Sequence, residues 1–144
     1  SLTEIVAAAK KGAEMGARCG RIVPAPSIAR RIEWALDMAA DTDEETACQE
    51  LYELVGTTVA ITETVPVALV LVILAQGDPI KTALLAANLG GDCDTVGAIA
   101  CSISGAYAGI DAFPSDLICQ IEEVNKLGLK DMAMALYKVT SKNC

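Results

Sequence analysis

The chain has 144 residues, about one domain by length, and is 53% hydrophobic against 21% charged, too apolar to stay disordered. Its 11 basic and 19 acidic side chains leave a net charge of −8, which repels a phosphate backbone and argues against general nucleic-acid binding. Histidine is absent, so a Ser-His or Cys-His catalytic pair within the chain and any imidazole zinc site are excluded.

Alanine fills 24 positions while aromatics make up 3%, a composition of closely packed helices rather than sheets. In chain order, Ser1-x-x-Glu4 has the form of a capping box for a first helix that ends by Gly20 and Pro24-Ala25-Pro26. Ser27 is a natural N-cap for a second, with Ile28, Ile32, Ala35, Leu36 and Ala39 on one face and Arg30 and Glu33 opposite. Thr42-x-x-Glu45 opens a third, closed by Gly56. A fourth is expected to start near Thr64 to Pro66, because proline is tolerated in a first turn, and to run to Gly77. Asp78-Pro79 starts a fifth that ends at Gly90-Gly91, and a sixth runs from about Asp94 to Gly109. Pro114-Ser115 introduces a seventh. Gly128 separates it from an eighth with Leu129, Met132, Ala133, Leu136 and Tyr137 on one face. The predicted fold is all-α.

The longest apolar run, Val65–Ala75, has 11 residues, whereas a membrane span needs roughly 20, so it is expected to be a buried core helix. The six cysteines (19, 48, 93, 101, 119 and 144) form no CxxC and follow no regular spacing. They are expected to be free, mostly buried thiols of a cytoplasmic protein. In the sixth helix, Val96, Ile99, Ala100, Ile103, Tyr107 and Ile110 form a bulky stripe, and Gly97, Cys101, Gly105 and Gly109 a small one. Glycine inside a helix costs about 0.5–1 kcal/mol, so the small stripe implies either close helix–helix approach or backbone bared for a ligand.

Chemistry concentrates in Asn88-Leu89-Gly90-Gly91-Asp92-Cys93-Asp94-Thr95-Val96-Gly97. Two carboxylates and a hydroxyl lie within four residues after a Gly-Gly turn, a donor set that suits a hard, oxygen-loving cation such as Mg²⁺. The competing reading is local: either aspartate could simply cap the helix that follows. The same letters fit the phosphoaspartyl-hydrolase and glycosyltransferase DxD patterns, but those follow a hydrophobic strand. An EF-hand loop fails because Ile103 stands at the twelfth position.

The segment from Gly90 through Val96-Gly97-Ala98-Ile99 and Gly105-Ala106-Tyr107-Ala108-Gly109-Ile110 to Pro114 closely resembles the C-terminal signature of the ADP-ribosylglycohydrolase family. That family includes ADP-ribosylarginine hydrolases, dinitrogenase reductase activating glycohydrolase and J1 crystallins. Val59-Ala60-Ile61-Thr62-Glu63-Thr64-Val65-Pro66 is similar to its Glu-x-x-Pro helix start, and the likeness extends from about Gly56 to Ile118. The resemblance implies a compact all-α domain holding two Mg²⁺ or Mn²⁺ ions. Asp92, Asp94 and Thr95 match the ligands, and Gly90 and Gly91 match the loop beside the ribose. Glu63 either orients the metal loop or caps its own helix. Cys93 stands where most relatives have threonine and is not expected to be a ligand.

The implied reaction is hydrolysis of the bond between ADP-ribose and a side chain such as arginine. Two cations would activate the water without a histidine base. The substrate would be an ADP-ribosylated protein or a small ADP-ribose conjugate. A non-catalytic ADP-ribose-binding or crystallin-like structural role is the alternative. Family members are about twice as long and carry further motifs, GDxxG-like and Thr-Asp-Asp, that are missing here; Asp41-Thr42-Asp43 reads as a polar link instead. Residues 1–144 are therefore expected to be the C-terminal half of such a domain. Alone it should be inactive, should partner the missing N-terminal half, and could self-associate through the apolar surface that half would cover.

Overall fold

The computed structural model describes residues 1–19, 21 and 24–140. Gly20, expected to end the first helix, and Cys144 lie outside them. Among the described residues there are eight α-helices and no strand: α1 (Leu2–Gly16), α2 (Ile28–Ala39), α3 (Glu44–Glu50), α4 (Ile61–Leu74), α5 (Pro79–Leu89), α6 (Cys93–Ala108), α7 (Ser115–Asn125) and α8 (Leu129–Thr140). A π-helical turn, Leu51–Val55, prolongs α3, and a 3₁₀ turn, Ile110–Ala112, follows α6. Packing divides the chain into two units, residues 1–112 and 113–144.

Local chemistry explains most of the helix starts. Ser1 and Glu4 form the reciprocal capping box of α1, Ser27 accepts the Arg30 N–H at the start of α2, and Asp78 accepts the Lys81 N–H before the Pro79 turn of α5. The start of α3 differs by one residue from the expectation. Asp43 caps it, accepting the Thr46 N–H at 3.0 Å, while the Thr42 hydroxyl turns back to the Ala39 carbonyl. An aspartate oxygen reaches that N–H as well as a threonine hydroxyl does, so the spacing alone favoured neither.

Helix α4 is the centre of the first unit, packed against α2, α5 and α6. Thr64 and Pro66–Val72 are all buried, so the apolar run is a core helix as expected, at about 1.5–3 kcal/mol for each large apolar side chain enclosed. It starts earlier than expected, at Ile61, which leaves Pro66 inside the helix. Proline has no N–H to give to the Thr62 carbonyl four residues back. The Arg31 side chain of α2 supplies it instead, with Nε donating to Thr62 O at 3.0 Å. The helix ends at Leu74 in a Schellman turn, with Gln76 left-handed (φ 54°) and Gly77 N–H bonded to Val72 O.

In α6, Val96, Ala100 and Ser104 are buried, whereas Tyr107 is exposed, as is Ile110 in the turn after it, so the bulky stripe is core only over its first turns. The small stripe permits close approach at Gly97, where a Cβ would stand 3.3 Å from that of Ala86 in α5. The cysteine expectation needs correcting as well. Cys19 and Cys119 are exposed, and Cys48, Cys93 and Cys101 are half-buried; all five are free.

In the second unit the Glu122 carboxylate accepts the Gly128 and Leu129 N–H groups, tying the end of α7 to the start of α8. The periodic face of α8 is exposed at Leu129, Met132, Leu136 and Tyr137 rather than buried.

Candidate metal centre

The loop between α5 and α6 is shaped by two left-handed glycines, Gly90 (φ 85°) and Gly91 (φ 68°). At Gly91 the side chain is excluded by position as well as by conformation. A Cβ there would lie 2.1 Å from Thr57 Oγ1 and 2.5 Å from the Thr57 carbonyl oxygen. That close approach lets the Asp92 N–H donate to Thr57 O at 2.7 Å. Gly90 faces Tyr52 of the π-helical turn, whose ring would be 3.2 Å from an added Cβ.

Asp92 occupies the N-cap position of α6 but makes no side-chain cap. Its Oδ1 accepts the Thr95 hydroxyl at 3.0 Å. Its Oδ2 is buried and has no hydrogen-bond partner among the described residues. Buried polar atoms are nearly always paired, so an orphaned carboxylate oxygen calls for an explanation such as an ion. The capping reading therefore does not describe Asp92. Asp94 and Thr95 lie exposed in the first turn of α6, and Cys93 is half-buried beside them. Among the described residues no three His, Cys, Asp or Glu side chains come together as a metal cluster.

Glu63 stands at the third position of α4 and reaches back past the helix start. Its Oε2 accepts both the Thr58 hydroxyl at 2.7 Å and the Thr58 N–H at 3.0 Å. These bonds, the hydroxyl first, and the nearby Arg31 charge hold its carboxyl below the usual range. Thr64 adds a bond from its hydroxyl to Thr58 O at 3.0 Å. Glu63 thus braces the residue next to Thr57, the carbonyl of which holds the Asp92 N–H. The Glu63 carboxylate also fills the side-chain position of Gly56 (φ 90°), where a Cβ would fall 2.6 Å from its Oε2.

Thr57, Thr58 and Arg31 escape a reading of the sequence. Threonines in a link between helices carry no special signal, although a proline inside α4 does announce a carbonyl in need of a donor. Away from this loop, burial pushes the Cys48 and Cys101 thiols up, which keeps them protonated and poorly reactive. No helix among the described residues is long and apolar enough to cross a membrane.

The family model described as ADP-ribosylglycohydrolase matches residues 1–144. The chain is 44% identical over 113 residues to "Uncharacterized protein YegU" of Escherichia coli (strain K12), an alignment covering 78% of this chain and 34% of that protein. The chain thus spans about a third of the length of that curated relative. No solved structure matches it significantly.

Proposed function

The chain belongs to the ADP-ribosylglycohydrolase family, and from that premise we propose that it supplies one side of a Mg²⁺- or Mn²⁺-dependent site hydrolysing the glycosidic bond between ADP-ribose and a modified side chain such as arginine. Family membership supports a glycosidic-bond hydrolase. The observation that carries the metal reading is the buried, unpartnered Oδ2 of Asp92. Leaving such a group unpaired costs about 1–3 kcal/mol or more, and a hard divalent cation with a taste for carboxylate oxygen offsets that cost.

Asp92, Asp94 and Thr95 are the ligands in this reading. The Thr95 hydroxyl gives its proton to Asp92 Oδ1, which leaves its own lone pairs free for a cation. Asp94 adds a second carboxylate from the same turn. Gly90 and Gly91, which would lie beside the ribose, let the loop fold closely against Tyr52 and Thr57, and Glu63 holds the supporting link through Thr58. The bound ions would supply Lewis acidity and an activated water.

The further ligands come from chain outside these 144 residues, in keeping with a relative of which the match covers only 34%. Val59 and Ile61, exposed by 84% and 61% beside Glu63, are apolar surface for that missing part to cover, and a route to self-association when it is absent. An ADP-ribosylated protein or small conjugate is the substrate, in a cytoplasm whose reducing conditions suit the free thiols.

The test is release of ADP-ribose from ADP-ribosylarginine, with Mg²⁺ or Mn²⁺, by this chain alone and by the chain mixed with the remainder of a full-length family member. Turnover only in the mixture is expected. Turnover by the chain alone refutes the divided site. ADP-ribose binding without turnover in either case favours the non-catalytic alternative.

A further inference from the structure

We propose that Arg31 is a positioning residue for Asp92, acting from α2 without touching the ligand loop. The proposal rests on the metal reading above to the extent that the group being positioned is a ligand. The link between the π-helical turn and α4, residues 56–60, is held at both ends by this one guanidinium. Its Nη2 donates to the carbonyl of Val55, the last residue of the turn, and its Nε to the Thr62 carbonyl that Pro66 leaves unpaired. Both acceptors need a donor: one is a helix-terminal carbonyl and the other has lost its partner to proline. A planar fork meets two such acceptors at a fixed separation, which a lysine ammonium cannot do. The guanidinium also lies over the Trp34 ring, 5.3 Å from its centre, which limits the rotamers open to it.

What the link holds is Asp92. The Thr57 carbonyl takes the Asp92 N–H at 2.7 Å, and Gly91 sits against Thr57 so closely that no side chain fits. A shift of the link therefore moves the Asp92 backbone with it. Arg31 clamps the link from α2 while Glu63 clamps it from α4. The Asp92 backbone is thus set from outside, and its carboxylate spends neither oxygen on doing so.

The test is amide hydrogen exchange by NMR on the whole chain, wild type against Arg31→Met and Arg31→Lys, read as the rate at Asp92 relative to Leu71 in the α4 core. Arg31→Met is expected to speed Asp92 about tenfold or more relative to Leu71, as loss of a charge-assisted hydrogen bond allows. Arg31→Lys, able to reach one carbonyl but not both, should fall between. No change at Asp92, or equal acceleration of Asp92 and Leu71, overturns the proposal, since a merely structural arginine would loosen both together. Titration with Mn²⁺ alone gives the second readout: Arg31→Met should weaken binding about tenfold, and Asp92→Ala should weaken it further. Undiminished Mn²⁺ affinity in Arg31→Met, where Asp92→Ala loses it, also overturns the proposal. If Asp92→Ala leaves Mn²⁺ binding unchanged, the metal reading falls, while the exchange ratio still decides the role of Arg31.

Discussion

Replacing Gly91 by alanine tests how the Asp92 loop is held, and the structure sets the size of the effect. The residue has φ 68°, and an L side chain in that region costs about 1–2 kcal/mol. The added Cβ would meet Thr57 Oγ1 at 2.1 Å and the Thr57 carbonyl oxygen at 2.5 Å. The hydroxyl can rotate away; the carbonyl cannot move without giving up the Asp92 N–H, a loss of about 1 kcal/mol. Gly91→Ala should therefore cost about 2–3 kcal/mol or more by these two contributions. Gly109→Ala is a control for positive φ in the same unit, with φ 80° and nothing within 4 Å of its added Cβ. It carries the strain of a positive φ alone, about 1–3 kcal/mol at its ψ of 175°. Urea unfolding followed by circular dichroism reads both variants in one transition. A loss at Gly91 no larger than backbone strain alone, about 1–2 kcal/mol, would refute the close packing on Thr57 as the reason for glycine. Adding Thr57→Ala to Gly91→Ala should recover only part of the loss, because the carbonyl clash stays; full recovery would mean that the carbonyl yields freely.

Without metal, Asp92→Ala should leave stability unchanged or slightly higher, since it deletes an unpaired buried oxygen rather than a cap; a loss of about 1 kcal/mol, as a working N-cap gives, would argue the reverse. In calorimetric titrations Asp92→Ala and Asp94→Ala should each weaken Mg²⁺ or Mn²⁺ binding, and unchanged affinity in both would leave them as helix-terminus residues. Glu63 has its pKa lowered in the folded state by Thr58, so its contribution is complete above the ordinary carboxylate range and fades as pH falls through the lowered folded value. Glu63→Gln should flatten the acid side of a plot of Tm against pH, and an unaltered acid slope counts against the Thr58 contacts. Gly97→Leu should cost about 1–3 kcal/mol by overpacking, because Ala86 already lies 3.3 Å from the position of a Cβ; a neutral thermal midpoint would mean that α5 and α6 separate easily.

The parts of the fold legible in the sequence are those decided by neighbours in the chain. Ser27 and Asp78 cap because the N–H they reach is three residues away, and the run through Val72 is buried because no face of it is polar. Reading fails where a distant group settles a local question. Pro66 looks like a helix start, yet α4 begins five residues earlier, at Ile61, because Arg31 of another helix satisfies the carbonyl that proline strands. The Asp92 segment left metal binding and capping both open for the same reason. Both need a carboxylate at the head of a helix, and only the surroundings tell what its oxygens do. Here the backbone of Asp92 is held by Thr57, and the side chain is held by one bond from Thr95. A loop that must present an oxygen to a ligand gains from being fixed through its N–H, since every bond made by the carboxylate itself removes a lone pair from use. A capping residue at a capping position that does not cap, with an unpaired buried oxygen, is the mark of that arrangement.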